Sequence, residues 1–158
     1  MISRLDPCCH ATRFTSAVVE VPVFFDTNIL IYALSTTPAE SRKRRSAEAL
    51  LDRADGVLSV QVLQEFYVQI TRPTRPKPMS HDLAVRFIEG WRRHQVVSNT
   101  IETLSDALSI KGRYGFSYWD SAVVAAARTA GCSELYTEDL SHDQMVEGVR
   151  VINPFKIS

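Results

Sequence analysis

Four acidic residues from distant parts of the chain stand where an alternating α/β sequence would gather them: Asp26, Glu65, Asp120 and Asp139. Asp26 directly follows an apolar run, Val18 to Phe25, and Asp139 lies two residues beyond the run Leu135 to Thr137. Glu65 falls in the first turns of a helix that follows Val57 to Val60, and Asp120 in the first turn of a helix opened by Ser117. Each acid has an ordinary explanation when taken alone. Asp26 can cap a helix, Glu65 can be a solvated helix residue, Asp120 can answer the helix dipole, and Asp139 can be a turn residue. Brought to one rim they do something else. Crowded carboxylates repel, and their pKa values rise unless a cation compensates. Hard divalent ions take oxygen ligands, and magnesium in particular uses a few carboxylates with waters and substrate phosphates. Such a site activates a water, positions a phosphodiester and stabilises its leaving oxygen. The chain has no C-x-x-C or H-x-x-H zinc pattern, so the acids point to magnesium, or manganese, over zinc.

For these acids to meet, strands and helices must alternate. The run 18–25 reads as a buried strand, stopped by Asp26-Thr27-Asn28, any of which can cap the helix begun by Ile29, Leu30 and Ile31. A helix over 41–54 is expected to turn Arg42, Lys43, Arg44 and Arg45 outward and Ala47, Leu50, Leu51 and Ala54 inward, with Gly56 as its stop. A strand over 57–60 leads to a helix over 61–70 with Val62, Phe66 and Ile70 on one stripe. Three prolines between Thr71 and Pro78 exclude a helix there. Ser80 caps a helix running through His94 with Leu83, Phe87 and Trp91; a strand over 95–98 follows. Thr100 opens a helix with Leu104, Ala107 and Leu108 inward, ending near Gly112 and Gly115. Ser117 opens the densely apolar helix that carries Asp120, through a Ser-x-x-Asp variant of the capping box, and Gly131 ends it. A strand over 134–137, a turn over 138–144 and a last strand over 149–152 complete the chain. Strands alternating with helices argue for an α/β fold with a parallel sheet, and such sheets bind ligands beyond the carboxyl ends of their strands.

Four segments then carry a family resemblance: Val23 to Ala33 around Asp26, Gln61 to Tyr67 around Glu65, Ser117 to Ala126 around Asp120, and Leu135 to Leu140 around Asp139. In order and spacing they resemble the PIN-domain ribonucleases, most closely the VapC toxins of bacterial toxin–antitoxin pairs, over nearly all of Val21 to Phe155. The resemblance implies a three-layer α/β/α PIN-like fold and a magnesium-dependent endoribonuclease, inhibited by a small cognate antitoxin protein and often a homodimer. It makes Asp26, Glu65, Asp120 and Asp139 the metal-binding acidic set, with Asp26 and Asp120 as direct ligands and Thr27, Asn28 and Thr137 as supporting polar groups. The first twenty or so residues have no counterpart in the family pattern. Asp143 is a second acid near Asp139, and the sequence does not choose between them.

Composition bounds these readings. The chain has 158 residues, 45% hydrophobic, with 18 basic groups balanced by 18 acidic ones. That length suits one domain, expected over 18–158 after a poorly ordered extension over 1–17. Zero net charge excludes a polybasic arm that binds by bulk electrostatics, but leaves room for local phosphate contacts. Cys8, Cys9 and Cys132 suit reduced thiols in a cytoplasmic protein. No apolar stretch reaches the roughly 18 residues that span a bilayer, so no membrane association is expected. The basic groups at 42–45, Arg72, Arg75 and Lys77, and Arg92 and Arg93 are either phosphate contacts or, as charge runs usually are, solvated faces. Trp119 could stack a base, though an aromatic packed at a helix start is the more ordinary expectation. His10, His81, His94 and His142 are scattered and receive no catalytic role. Two other classes compete. A haloacid-dehalogenase-like phosphatase also places an Asp after its first strand, but wants an acid two residues on, where Asn28 stands. A non-catalytic RNA- or protein-binding module would use the acids only as caps.

Overall fold

The computed structural model of the protein describes residues 21–156. The extension expected over 1–17, and the first part of the strand expected from Val18, lie outside the described residues. The elements are β1 (Val23–Phe25), α1 (Thr27–Ala33), a 3-10 turn (Pro38–Glu40), α2 (Ser41–Leu51), β2 (Gly56–Ser59) and α3 (Val60–Thr71). There follow α4 (His81–Trp91), β3 (Gln95–Val97), α5 (Ile101–Tyr114), α6 (Tyr118–Thr129), β4 (Glu134–Tyr136), β5 (Met145–Val146) and β6 (Val149–Ile152). The sheet order is β3-β2-β1-β4-β6-β5. All neighbouring pairs are parallel except β5 against β6.

Strand order runs outward from β1 through β2 to β3, then jumps back to β4 on the other side of β1. With right-handed crossovers, that reversal places α1 to α4 on one face and α5 and α6 on the other. The contacts agree: α1 packs on α2 and α3, α3 on α4, and α5 on α6. The three layers bury Phe24, Phe25, Leu58, Leu135 and Val151 in the sheet, under Ile29, Leu30, Phe66, Val124 and Ala125 of the helices. The crevice between β1 and β4 is the topological switch point, where open α/β sheets take their ligands.

Helices α4, α5 and α6 start where the sequence says, whereas α3 starts at Val60, expected as the last residue of the strand before it. Ser59, Ser80, Thr100 and Ser117 each accept a hydrogen bond from the backbone N–H three residues on, satisfying a donor that the helix leaves free. Gly115 closes α5 in the left-handed conformation at φ 70°. Three further helix readings fail. Helix α2 ends at Leu51, so Ala54 is exposed in the turn that enters β2, and Gly56 begins that strand. Gly56 is needed there for space: a Cβ would meet the ring of Phe25 and, at 3.0 Å, Nδ1 of His94. Helix α4 stops at Trp91, and His94 turns back to sit buried, edge-on to Phe25. Helix α5 buries Ala107 and Ile110 and leaves Leu104 and Leu108 exposed. Its apolar residues offer two overlapping stripes, and packing on α6 selects one of them.

Candidate metal centre

Asp26 and Asp139 reach the same place because the strands before them are neighbours, Phe25 lying opposite Tyr136. The Asp26 N–H donates to Tyr136 O at 3.1 Å, carrying the ladder one residue past β1. Helix α3 begins where β2 ends, so Glu65 starts from the same edge. Helix α6 runs back toward the start of β4, so its first turn, with Asp120, also stands at the carboxyl edge. Asp26, Glu65, Asp120 and Asp139 all line one cavity of about 330 Å³, together with Thr27 and Asn28.

The acids are held by a polar scaffold. The Thr27 N–H donates to Asp26 Oδ1 at 2.6 Å and the Thr137 hydroxyl to Asp26 Oδ2 at 2.7 Å. Asn28 Nδ2 donates to Asp26 Oδ2, Thr137 Oγ1 and Asp139 Oδ2, at 3.2, 3.1 and 3.1 Å. Glu65 accepts from Thr27 Oγ1 at 3.0 Å and from Gln69 Nε2 at 2.9 Å. Asp120 accepts from Ser117 Oγ at 2.6 Å, closing the Ser-x-x-Asp cap by its side chain as well as its N–H. The tripeptide 26–28 therefore touches three of the four acids.

Asp26 is 7% exposed, and burial pushes its pKa up to about 7. The Thr137 hydroxyl and the Thr27 N–H oppose that rise, while the nearby charges of Asp139 and Glu65 add to it. This carboxylate is held in a place that favours its neutral form, a cost that a cation would remove. The donor set is all oxygen from acids, with no His or Cys in the lining, which fits a hard divalent ion. Asn28 Oδ1 is also buried with no hydrogen-bond partner among the described residues, an acceptor free for a water of such an ion. As they stand, the acids are drawn to Thr27, Asn28 and Ser117. No three His, Cys, Asp or Glu side chains among the described residues converge closely enough to hold an ion. The residues available to one are Asp26, Glu65, Asp120 and Asp139.

A family model for the PIN domain matches residues 23–147. The chain belongs to the PIN domain family. Its fold resembles a toxin–antitoxin complex from Klebsiella pneumoniae, with a TM-score of 0.63 at 19% identity, covering 85% of this chain and 99% of that one. It also resembles VapC20 of Mycobacterium tuberculosis, described as a sarcin–ricin loop cleaving toxin, with a TM-score of 0.57 at 20% identity, over 72% of this chain and 86% of that one. A third likeness is to FitAcB from Neisseria gonorrhoeae, with a TM-score of 0.62 at 19% identity, over 85% of this chain and 99% of that one. A search of curated protein sequences returns no match.

In this PIN domain Asp139, and not Asp143, lines the cavity. Asp143 has φ 66° and turns its carboxylate to Arg150, at 2.5 and 3.0 Å. Glu138, Tyr32 and Gln69 also line the cavity and carry no sequence signal of their own beyond proximity to Asp139, Asn28 and Glu65. Lys43, expected outward with its basic neighbours, instead donates to Glu138 Oε2 at 2.6 Å and to the Tyr32 hydroxyl at 2.7 Å. Its ammonium lies 4.2 Å from the Tyr32 ring centroid, so one lysine of α2 neutralises the acid beside Asp139. The other basic groups stay off the cavity: Arg44 pairs with Glu48, Arg92 with Glu89, Arg93 with Asp52, and the loop with Arg72, Arg75 and Lys77 is on the surface. None of His81, His94 and His142 lines it. Trp119, expected to be packed, is 59% exposed at the cavity wall.

Proposed function

We propose that this PIN domain is a magnesium-dependent endoribonuclease that hydrolyses RNA phosphodiester bonds, with manganese able to substitute, and that it acts as the toxin of a toxin–antitoxin pair. The observation that carries the reading is the meeting of Asp26, Glu65, Asp120 and Asp139 in one cavity at the switch point of the sheet, with Asp26 buried and its pKa raised to about 7. A bound divalent ion would neutralise these acids, draw in a phosphodiester oxygen and lower the pKa of a water. The chain's part is to hold the oxygens in place. Thr27 and Thr137 fix both oxygens of Asp26, Asn28 ties Asp139 to it, Gln69 and Thr27 fix Glu65, and Ser117 fixes Asp120. Such second-layer donors orient ligands and tune their basicity.

The phosphatase alternative needs an acid–base group at position 28. Asn28 stands there with its amide donating to Asp26, Thr137 and Asp139, so it neither gives nor takes a proton. A module that used the acids only as caps has no need to bring four into one cavity. The toxin assignment and a cognate antitoxin are supported by likeness to a toxin–antitoxin complex, and RNA as substrate by likeness to a sarcin–ricin loop cleaving toxin; a homodimer belongs to the same proposal. No helix among the described residues is long and apolar enough to cross a membrane, and we place the protein in the cytoplasm. The test is RNA cleavage with magnesium, with manganese and with chelator, on wild type and Asp120→Asn. Cleavage by wild type that persists in chelator, or an unimpaired variant, overturns the assignment.

A further inference from the structure

The most exposed aromatic of the cavity wall is adjacent in sequence to one of its acids. Trp119 lies in the first turn of α6, next to Asp120, and both line the cavity. The helix is buried continuously from Ser121 to Ala127, and Trp119 lies outside that stretch. Its aromatic neighbour is Tyr118, met nearly edge-on at 5.2 Å, and 59% of the residue stays in solvent. The other tryptophan, Trp91, shows what this chain does with an indole it uses for stability: it is buried, stacked on Phe87 and edge-on to Phe66. What sets this indole apart is its place: its ring stands open at the wall of the acid cavity, where a ligand entering the cavity would meet it.

We propose that Trp119 is a stacking platform for an unpaired nucleobase of the RNA whose phosphate is held at the acids; the proposal rests on the nuclease reading above. An RNA strand has two chemistries, an anionic backbone and flat π-faced bases, and the cavity wall offers a partner to each. The acids with their cation answer the phosphate, and the indole answers a base. Stacking on an aromatic needs no particular hydrogen-bond pattern but does need a base that is free of its own stack, so the platform selects single-stranded or looped RNA over a continuous duplex. Such a contact contributes to binding without touching the reacting atoms. Trp119 is therefore a residue of substrate selection, and Asp120 beside it a candidate metal ligand.

The two tryptophans make a direct test possible, because Trp91 is shielded in the core and Trp119 is not. The full chain is titrated with random-sequence single-stranded RNA, with a blunt RNA duplex and with an abasic ribose-phosphate oligomer, in calcium, while intrinsic fluorescence is read. In parallel, cleavage of the same single-stranded pool in magnesium gives KM and kcat for wild type, Trp119→Ala and Trp119→Phe. Single-stranded RNA is expected to quench Trp119, with the duplex and the abasic oligomer doing so weakly. Trp119→Ala is expected to raise KM about ten- to a hundredfold, the loss typical of removing a stacking aromatic, with kcat changed far less, and Trp119→Phe to restore most of it. Unquenched fluorescence on binding, or an unchanged KM in Trp119→Ala while wild type cleaves, overturns the stacking role and leaves the nuclease reading standing. Quenching by a bound RNA that is never cut overturns the nuclease reading and keeps the platform. Trp119→Ala weakening only the antitoxin complex assigns the residue to protein recognition and overturns the proposal.

Discussion

Replacing Asp26 by Asn should make the metal-free protein more stable at pH 8 and less able to gain stability from magnesium. The folded-state pKa is about 7 against an ordinary 3.8, with burial the leading cause. At about 1.36 kcal/mol per unit, holding this group ionised in the fold costs about 4 kcal/mol. The sign follows from linkage. A raised folded pKa gives stability that is complete below about pH 4 and is lost as pH climbs through 7. The Asn variant carries no such penalty. It does turn an amide N–H₂ toward Asn28 Nδ2, now 3.2 Å from Asp26 Oδ2, and a mispaired buried donor costs about 1–3 kcal/mol. The net gain at pH 8 in chelator is therefore about 1–3 kcal/mol, and each kcal/mol raises the Tm by about 2–4 °C in a chain of this size. Thermal unfolding from pH 4 to pH 8, in chelator, should show the variant's advantage growing with pH, and reversing at the acid end, where Asp26 is neutral and only the mispairing cost of about 1–3 kcal/mol remains. Using the difference between variant and wild type also cancels His94, whose pKa burial lowers and whose protonation costs stability as pH falls. Adding magnesium at a hundredfold excess over Kd should then stabilise wild type by about 2.7 kcal/mol and the variant far less. A variant less stable than wild type by the same amount at every pH would refute a charge penalty at Asp26 and leave it a plain helix cap.

Asp26→Asn and Asp120→Asn should each abolish RNA cleavage with the far-ultraviolet circular dichroism unchanged, and the double variant should be scarcely worse than either, because residues acting as a unit lose activity together. Activity retained in either single variant removes that residue from the site. Lys43→Met should cost no more than about 1 kcal/mol, since its pair with Glu138 is partly solvated, yet should tighten magnesium binding in calorimetry by leaving the Glu138 carboxylate unbalanced; weaker binding would refute the neutralising role. Gly56→Ala should lower stability by about 1–3 kcal/mol in denaturant titration through overpacking against Phe25 and His94, and a neutral result would show that those rings can yield. Expression of the wild type alone should arrest growth, with co-expression of the cognate antitoxin restoring it; harmless accumulation of folded protein counts against the toxin role.

What the sequence made legible was set by local chemistry. Short apolar runs broken by Asp26 or by Thr137 to Asp139 mark strand ends, and Ser80, Thr100 and Ser117 mark helix starts by side-chain capping, whereas Ser59, which caps α3, was hidden in the strand expected over 57–60. Because a parallel α/β sheet puts its strand ends and the starts of α1, α3 and α6 on one edge, locating four acids at such boundaries located the candidate site as well. What stayed hidden depended on contacts between distant residues. The hairpin of β5 and β6 turns on Glu147 and Gly148, at φ 52° and 84°, and a glutamate announces no left-handed residue, so β5 was not expected. Lys43 sits in a run of four cations, and only the return of the chain after β4 brings Glu138 to it.

The same distinction explains why the polar scaffold reads more clearly than the cavity wall. Asp26, Thr27 and Asn28 are consecutive, so their mutual geometry is a property of one strand-to-helix turn, and three acids are tied through it. Trp119 and Glu138 also neighbour acids in sequence, but whether each is packed, paired or open depends on elements more than ninety residues away for Glu138 and on what α6 leaves uncovered for Trp119. The residues that would fix a reaction are thus local and legible, whereas those that would choose its substrate are set by tertiary structure. A chain can keep the first group and change the second, and with it the RNA that fits, without disturbing the sheet edge on which both depend.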